Sequence, residues 1–415
     1  MTRDYAALRR QLLDAIAEIE PLIREHADYA EETTRLAPPV VKAMTDAGVF
    51  RMVVPRSLGG LEVDYETQVR VIEAVGKIDG GTGWCAFLGG VNPAFAMYLP
   101  DAGAEEMFLG HPEVVTGGTP GPAQRALRVD GGYICNGRWP FGSGSPHCHY
   151  LMGGCLVYEG DEPRLTPDGK QERRVFWFKK SELILHHTWI TTGLRGSGSH
   201  DFEANDLFVP DSRAGFVTAA DMRMAETREP RGKHFQGPLY HIPFFCHSGA
   251  AIAGVALGIT RHALDLFSEM ILKKPKRAIE SHAVRDRGYV QVILAEAEAT
   301  WHSARAFFYQ TAREIWQEVE ERGAASTEAE LRMKLAKVDA VQRCAHAVTM
   351  VQKAGGGSSV YLKNGIDRCF RDVHTATQHM GVYIKNYEDA GAEILDHRRR
   401  LTDQADSPGR IPSEQ

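Results

Sequence analysis

Residues 130–139, with the sequence DGGYICNGRW, lie in the block of the chain that decides the fold. Asp130-Gly131-Gly132 is typical of a hairpin turn, and the apolar run that follows it favours a strand. Over residues 113–216, Gly, Pro and Asp separate several such short runs. We predict these runs to be strands of a mainly antiparallel β-domain: Val114-Val115, Tyr133-Ile134-Cys135, Tyr150-Leu151-Met152, Val175-Phe176-Trp177-Phe178 and Leu207-Phe208-Val209.

The sequence on either side of this block has helical periodicity. Before it, apolar residues recur every three or four positions, Pro38-Pro39 opens a second helix that Gly48 ends, and a third is predicted from about Tyr65 to Ile78. After it, one long apolar stripe and a helix from about Glu328 to Lys353 predict a helical bundle. The two stripes are Leu8, Leu12, Ile16, Ile19 and Ile23, and Val290, Leu294, Ala297, Trp301, Ala304 and Phe308.

The predicted fold is therefore α+β, in the order helices, sheet, helices. We expect an N-terminal helical domain over 1–112, the β-domain over 113–216 and a C-terminal four-helix bundle over 241–403. Residues 217–240 are charged and irregular, which predicts a long surface loop that acts as a lid. Residues 404–415 are polar and are expected to form a frayed tail.

Composition excludes several classes of protein. The 415 residues carry a formal net charge of −6, which gives no support to nucleic-acid binding. The seven cysteines are scattered and never spaced as CxxC, which favours free thiols in a reducing cytoplasm. The N-terminus has no apolar leader, and no apolar run approaches the ~18 residues of a membrane span. We therefore expect a cytoplasmic protein without a membrane partner.

Three stretches resemble segments of the acyl-CoA dehydrogenase superfamily. Residues 54–60, VPRSLGG, resemble its P-x-x-x-G-G segment, and residues 131–139 resemble a strand pair that carries a Trp towards a flavin. Residues 192–199, TGLRGSGS, resemble its G-x-R-x-S strand. Their order and spacing together extend the resemblance over nearly the whole chain. The resemblance implies the three-part fold given above.

Within the superfamily the match is to the flavin-dependent monooxygenase branch, the oxygenase components of two-component phenol, steroid and thiophene hydroxylases. Residues 139–144, WPFGSG, resemble its W-x-F-x-S-G motif, and residues 371–379 resemble its R-D-x-H-x-x-x-Q-H motif. Arg285-Asp286-Arg287 with Val290-Gln291 resembles a third. The resemblance implies a homotetramer that takes reduced FMN or FAD from a separate flavin reductase. Through a C4a-hydroperoxyflavin it would hydroxylate a small, aromatic or phenolic substrate.

The distribution of carboxylates separates oxygenation from dehydrogenation. An acyl-CoA dehydrogenase needs a carboxylate to remove the α-proton of its thioester, from one of two positions. No Asp or Glu lies between Asp372 and Glu388, and none lies between residues 231 and 264. An acyl-CoA dehydrogenase with a relocated base remains an alternative. Oxidation of nitrogen in an amino sugar or of sulfur in a heterocycle is another.

The resemblance also implies site residues. His379 would deprotonate a phenol or stabilise its oxyanion, and Ser143 would place a hydroxyl beside the flavin, with Ser145 as its competitor. Trp139 and Phe141 would wall the flavin ring, and Arg285 would bind its phosphate across a subunit interface. Gly355-Gly356-Gly357 would approach a neighbouring subunit's ligand or simply end a helix. The remaining expected cofactor contacts are Gly142, Ser197 and Gln378.

Three further patterns favour structural roles. His374 is expected to support the site rather than act in it. His147 and His149 would share one face of a strand and so could bind a metal, but no third ligand lies near them. The glycines at 193, 196 and 198 do not match the dinucleotide fingerprint, since their spacing differs and no helix follows. This chain is therefore not expected to bind NADH through such a motif, which is why a separate reductase is predicted.

Overall fold

The computed structural model describes residues 4–216, 232–274 and 282–405. The described part of the chain begins with six α-helices. They are α1 (Tyr5–Glu25), α2 (Ala27–Thr33), α3 (Pro38–Asp46), α4 (Tyr65–Ile78), α5 (Gly80–Val91) and α6 (Asp101–Phe108). The bounds predicted for α4 are confirmed.

Helix α5 is the element that sequence reasoning missed, because glycine is a poor helix former. Its sequence, GGTGWCAFLGGV, holds five glycines that let neighbouring backbones approach. A Cβ on Gly81 would lie 3.0 Å from the Cα of Gly196, and one on Gly83 would lie 2.6 Å from the Cα of Gly76. The missing side chains therefore allow α5 to pack directly against α4 and the loop before the last long strand. This contact brings Trp84 into the site.

A mixed sheet follows the helices. Its strand order is β6-β7-β2-β1-β3-β5-β8, and β4 pairs with β3. Strand β1 pairs with β3 in parallel, whereas the other pairs are antiparallel. The strands are β1 (Thr116–Val129), β2 (Gly132–Gly142), β3 (Tyr150–Glu159), β4 (Glu162–Pro163), β5 (Arg173–Lys179), β6 (Ile184–His186), β7 (His200–Pro210) and β8 (Ala214–Phe216).

The sheet is mainly antiparallel, as predicted, and contains one parallel pair. After the hairpin formed by β1 and β2, residues 143–149 carry the chain across the end of β1 to its other edge, so β3 runs in the direction of β1. Val114-Val115 precedes β1 rather than forming a strand, whereas the other four predicted runs lie in strands. The crossing segment matters for function because it carries Ser143.

The C-terminal part is helical. Its described residues hold five helices, one more than the predicted bundle of four: α7 (Phe244–Lys273), α8 (Gly288–Arg322), α9 (Thr327–Gly355), α10 (Ile366–Ala376) and α11 (Lys385–Ala405). By length and composition α7 could cross a membrane, but 78% of its apolar window is buried inside the protein. It is the central helix of this part, and its residues from Ser248 to Ile259 are all buried.

Two predicted segments lie largely or partly outside the described residues. Of the expected lid over 217–240, only residues 232–240 are described, and they end in a 3-10 turn at Pro238–His241. Of the expected tail over 404–415, residues 404 and 405 continue α11. All seven cysteines are buried and free, in agreement with the prediction of unpaired thiols.

Candidate active site

Two loops meet at the end of the sheet. One is the turn after β2 that contains Ser143, and the other is the segment 194–199 before β7. The N–H of Gly144 donates to the carbonyl oxygen of Ser197 at 2.8 Å, and the hydroxyl of Ser145 donates to the carbonyl oxygen of Gly198 at 3.1 Å. These bonds hold the two loops in fixed register. Ser145 is fully buried by this role, which leaves Ser143 as the better candidate of the two serines.

A chain of hydroxyl groups crosses the junction of the loops. Ser143 Oγ lies 2.6 Å from Ser199 Oγ, which lies 2.7 Å from Ser197 Oγ. The indole N–H of Trp84 donates to Ser143 Oγ at 3.1 Å. A serine hydroxyl has one hydrogen and two acceptor positions, so the chain can run in either direction. In one direction Ser143 keeps an acceptor position for a ligand, and in the other it keeps its hydrogen.

His379 lies on the far side of Trp84, in the turn that follows α10. Its ring meets the rings of Trp84 and Phe87 edge-on, with centroids 5.8 and 6.2 Å away. The N–H of Gly381 donates to His379 Nδ1 at 3.0 Å. Since Nδ1 accepts, the neutral ring carries its hydrogen on Nε2. This tautomer makes His379 a hydrogen-bond donor at Nε2 and disfavours it as a base there.

The surroundings of His379 keep its ring neutral. Burial, followed by the positive charge of Lys337, lowers the pKa of His379 to about 4. No carboxylate contributes to this pKa among the described residues. A neutral donor suits the stabilisation of a developing oxyanion. It does not suit removal of an α-proton, because the base of a thioester dehydrogenase would itself be an anion at this place.

Asp372 is the carboxylate nearest to His379 in sequence, and it is occupied elsewhere. Its Oδ1 accepts the N–H of Leu194 at 2.6 Å, and its neighbour Arg371 donates to the carbonyl oxygen of Thr192 at 2.7 Å. Burial, followed by the charge of Asp79, raises the pKa of Asp372 to about 8. With only 2% of its surface exposed, Asp372 anchors the loop that carries Ser197 and Ser199.

The two aromatic residues expected beside a flavin lie in different surroundings. Trp139 has no exposed surface, stacks on Phe202 at 5.3 Å and donates its indole N–H to the carbonyl oxygen of Gly154 at 2.9 Å. Because these contacts place it inside the sheet core, we do not retain it as a wall of the flavin. Phe141 is 62% exposed with φ of +61°, and its ring meets that of Trp189 at 6.2 Å. Phe141 therefore offers a free aromatic face.

Other predicted contacts remain predictions or prove to be packing positions. Gly142 is required by space, since a Cβ there would lie 2.7 Å from the carbonyl oxygen of His200. Gln378 is exposed and donates to Thr377 at 2.9 Å. Arg285 lies on a 3-10 turn before α8, is 55% exposed and meets Asp286 at 3.8 Å. No contact among the described residues joins Arg285 to the serine chain.

The glycines after α9 form an exposed turn. Gly355 is buried at the end of the helix, whereas Gly356 has φ of +58° and a Cβ on it or on Gly357 would touch nothing within 4 Å. Such open backbone is compatible with both expected roles, the end of a helix and an approach to another subunit.

His374 and His149 make structural hydrogen bonds, whereas Nδ1 of the buried His147 has no hydrogen-bond partner among the described residues. His374 Nε2 lies 2.9 Å from the Thr349 hydroxyl, which itself donates to the carbonyl oxygen of Ala345, so His374 is the donor. His149 Nδ1 accepts the N–H of Val115 at 3.1 Å, and burial lowers the pKa of His147 to about 3. No group of three metal-binding side chains exists among the described residues.

Four residues of the site were missed by sequence reasoning: Trp84, Ser199, Asp372 as a loop anchor, and Lys337. Ser199 stands in the quoted stretch 192–199, but Ser197 ends a 3-10 turn and Gly198 is left-handed, so no regular periodicity marked the two serines as neighbours. Trp84 lies in the glycine-rich helix that was not predicted. Nothing in the sequence marks Lys337, because its burial depends on the packing of α7 against α9.

The site fits the ring of a flavin by the chemistry of its groups. A hydroxyl that can accept or donate suits a ring nitrogen that is protonated in the reduced state and bare in the oxidised state. Phe141 adds an exposed aromatic face on the same turn. When bound, reduced flavin supplies the two electrons that activate dioxygen. Ser143, Phe141 and the backbone of the two loops would hold it.

Known proteins agree with this arrangement. Family models described as the N-terminal and C-terminal domains of acyl-CoA dehydrogenase match residues 5–107 and 250–383. An indole-3-acetate monooxygenase of Pseudomonas putida is 30% identical over 89% of this chain and 90% of its own. The oxygenase subunit HsaA of a flavin-dependent monooxygenase from Mycobacterium tuberculosis is 25% identical over 89% and 91%.

A solved structure shows the same fold. XiaF from a Streptomyces species, in complex with FADH2 and glycerol, superposes with a TM-score of 0.85 at 22% identity and covers 95% of this chain and 97% of its own. The chain belongs to the acyl-CoA dehydrogenase superfamily and, within it, to the flavin-dependent monooxygenases. The predicted family, fold class and flavin dependence are thereby confirmed.

Proposed function

We propose that this protein is the oxygenase component of a two-component system that hydroxylates a small aromatic compound. It would receive reduced FMN or FAD from a separate flavin reductase. One oxygen atom of O2 enters the substrate and the other leaves as water, while the reduced flavin gives up two electrons and two protons. The oxygen atoms and electrons of this reaction balance without any thioester or nicotinamide at this site.

The observation that carries this proposal is the neutral, donating His379, which contacts the same Trp84 that donates to the hydroxyl chain, with Lys337 as the charge that acts on His379. Ser143 would hold a ring nitrogen of the flavin, accepting from its N–H in the reduced state and donating to it in the oxidised state. His379 would donate a hydrogen bond from Nε2 to a negatively charged oxygen of the substrate. The rings of Trp84 and Phe87 exclude water from the side of His379 that faces α5.

The names of the relatives support the class of substrate and the supply of flavin. One relative is named for indole-3-acetate, an aromatic acid, and the other is named as an oxygenase subunit, which implies a second component. We therefore place an aromatic substrate between His379 and the flavin. The length of the site that binds the flavin phosphate would decide between FMN and FAD. Arg285 is our candidate for a residue of that site.

We also propose that the functional unit is a homotetramer. The C-terminal part exposes large apolar side chains that a second copy would cover. They are Val360, Tyr361, Leu362, Met380, Tyr383, Ile384 and Leu395. The exposed turn at Gly356 and Gly357 immediately precedes the first three. Light scattering of the purified protein tests this proposal: four copies are expected, and a monomer would contradict it.

The function is tested by adding photoreduced flavin to the protein in aerated buffer with a panel of simple aromatic compounds. Hydroxylated product without any reductase is expected, because the reductase supplies only the flavin. Reoxidation of the flavin with hydrogen peroxide as the sole product from every compound would contradict the proposal.

A further inference from the structure

Lys337 is a buried cation in the middle of the C-terminal helices. It lies on α9 with 1% of its surface exposed. An ammonium group has three N–H donors. One donates to the carbonyl oxygen of Phe245 at 2.7 Å, and the others have no acceptor among the described residues. Two hydrogen-bonding positions of a buried charge are therefore unused.

No acidic side chain compensates this charge among the described residues. Lys334, one turn earlier on the same helix, is paired with Glu393, and the buried Arg213 is paired with Glu182 at 2.9 Å. Buried ions are normally paired in this way, because a lone ion in the interior is costly. Lys337 departs from the pattern, and its lowered pKa of about 8 reflects the same burial.

Lys337 approaches the face of α7 that also meets the turn of His379. A Cβ on Gly249 would lie 2.5 Å from Lys337 Cδ, so the glycine makes room for the lysine. A Cβ on Gly381 would lie 3.6 Å from Cδ1 of Ile252. Gly249 and Ile252 are three residues apart and therefore neighbours on one helical face. The lysine and the histidine turn thus reach adjacent positions on the same face of α7.

We propose that Lys337 binds an anionic oxygen of the aromatic substrate, a carboxylate or a phenolate. The inference rests on the proposed function and adds the charge of the substrate to it. The anion would accept the two free N–H groups of Lys337, which compensates the buried charge. Charge-assisted bonds of this kind are among the strongest in proteins, so the site would select anionic over neutral ring compounds.

The test compares binding of matched probes by calorimetry, with oxidised flavin added. Phenylacetate and phenylacetamide have nearly the same shape, but only the first carries a negative carboxylate. Para-nitrophenol can ionise to a phenolate, whereas para-nitroanisole, which is similar in shape, cannot. The proteins are wild type, Lys337→Met and the control Lys334→Met, which removes a charge that Glu393 already neutralises. In wild type one anion is expected to bind at least ~10-fold more tightly than its neutral partner.

In Lys337→Met that preference should be lost, while the affinity for the neutral probe stays the same and Lys334→Met keeps the preference. Loss for phenylacetate identifies a carboxylate, and loss for para-nitrophenol identifies a phenolate. The proposal is overturned if wild type prefers neither anion, or if Lys337→Met weakens acid and amide alike. A thermal melt of Lys337→Met at or above the wild-type Tm shows that the variant is folded. If the preference for anions is absent but the protein still hydroxylates neutral aromatic compounds, the proposed function holds and only the role of Lys337 is wrong.

Discussion

The indole N–H of Trp84 donates a hydrogen bond to the hydroxyl of Ser143 at 3.1 Å. The same indole packs edge-on against His379. One side chain of α5 therefore touches both groups that were predicted from distant parts of the sequence. The indole occupies one acceptor position of Ser143. The Ser143 hydroxyl can therefore either accept one hydrogen bond from a ligand or donate one to it, but not both.

Trp84→Phe tests this control of Ser143. The variant keeps an aromatic ring against His379 but removes the N–H, so Ser143 gains a second free acceptor position and loses its fixed orientation. A neutral hydrogen bond contributes about 1 kcal/mol, so we expect a fall of about 5-fold in product formed per reduced flavin. The missing product should appear as hydrogen peroxide. Unchanged coupling in a folded variant would remove Trp84 from the mechanism.

The tautomer of His379 is tested by two substitutions. Glutamine carries an amide donor near the position of Nε2, whereas alanine carries none. His379→Ala should lower the rate of substrate oxygenation by ~10²-fold, the scale of one donor to a developing oxyanion. His379→Gln should retain much of that rate. Equal loss in both variants would indicate a base instead.

The pH profile gives an independent check on the same residue. Burial lowers the pKa of His379 to about 4, so its ring is neutral over the physiological range. Between about pH 5 and about pH 7, the pH profile of the oxygenation rate should therefore have the same shape in the wild type and in His379→Gln. An inflection that disappears in His379→Gln would mean that His379 titrates during turnover.

Asp372→Asn tests the buried loop anchor. The pKa of Asp372 is raised to about 8 in the folded state, above its value in the unfolded chain. The folded protein therefore holds a proton that the unfolded chain releases, and stability from this source is lost as the pH rises through about 4 to about 8. Each unit of pH within that window changes the free energy of unfolding by up to about 1.4 kcal/mol.

Asparagine cannot ionise but can still accept the N–H of Leu194. Relative to wild type, Asp372→Asn should therefore gain thermal stability as the pH is raised from about 5 to about 8, measured as the difference in Tm between the two proteins. The groups near this carboxyl, Asp79, Glu31 and Arg371, are common to both proteins and cancel in the comparison. A difference in Tm that is constant with pH would contradict the raised pKa.

The sequence predicted the order of the three parts because periodicity is a local property. The apolar stripe of α1 and the bounds of α4 follow from spacing alone. The parallel pairing of β1 with β3 does not, since it depends on the path of residues 143–149 across a strand end. Helix α5 was missed because its glycines serve close packing against Gly76 and Gly196, which no local rule can detect.

The site was predicted unevenly for the same reason. Ser143 and His379 stand in recognisable motifs. The tautomer of His379 depends on the N–H of Gly381, and the isolation of Lys337 depends on the absence of acidic partners for it among the described residues. Trp139 was misplaced because its motif gives an order of residues and not the face of β2 on which each side chain lies.

The most direct test of the central claim is the fate of labelled dioxygen. Reduced flavin, the protein and an aromatic substrate are mixed under isotopically labelled O2, and the mass of the product is measured by mass spectrometry. We predict that one labelled oxygen atom is incorporated per molecule of product. Product that carries only unlabelled oxygen, or bound flavin that is instead reduced by an acyl-CoA in the absence of oxygen, would contradict the assignment as a monooxygenase.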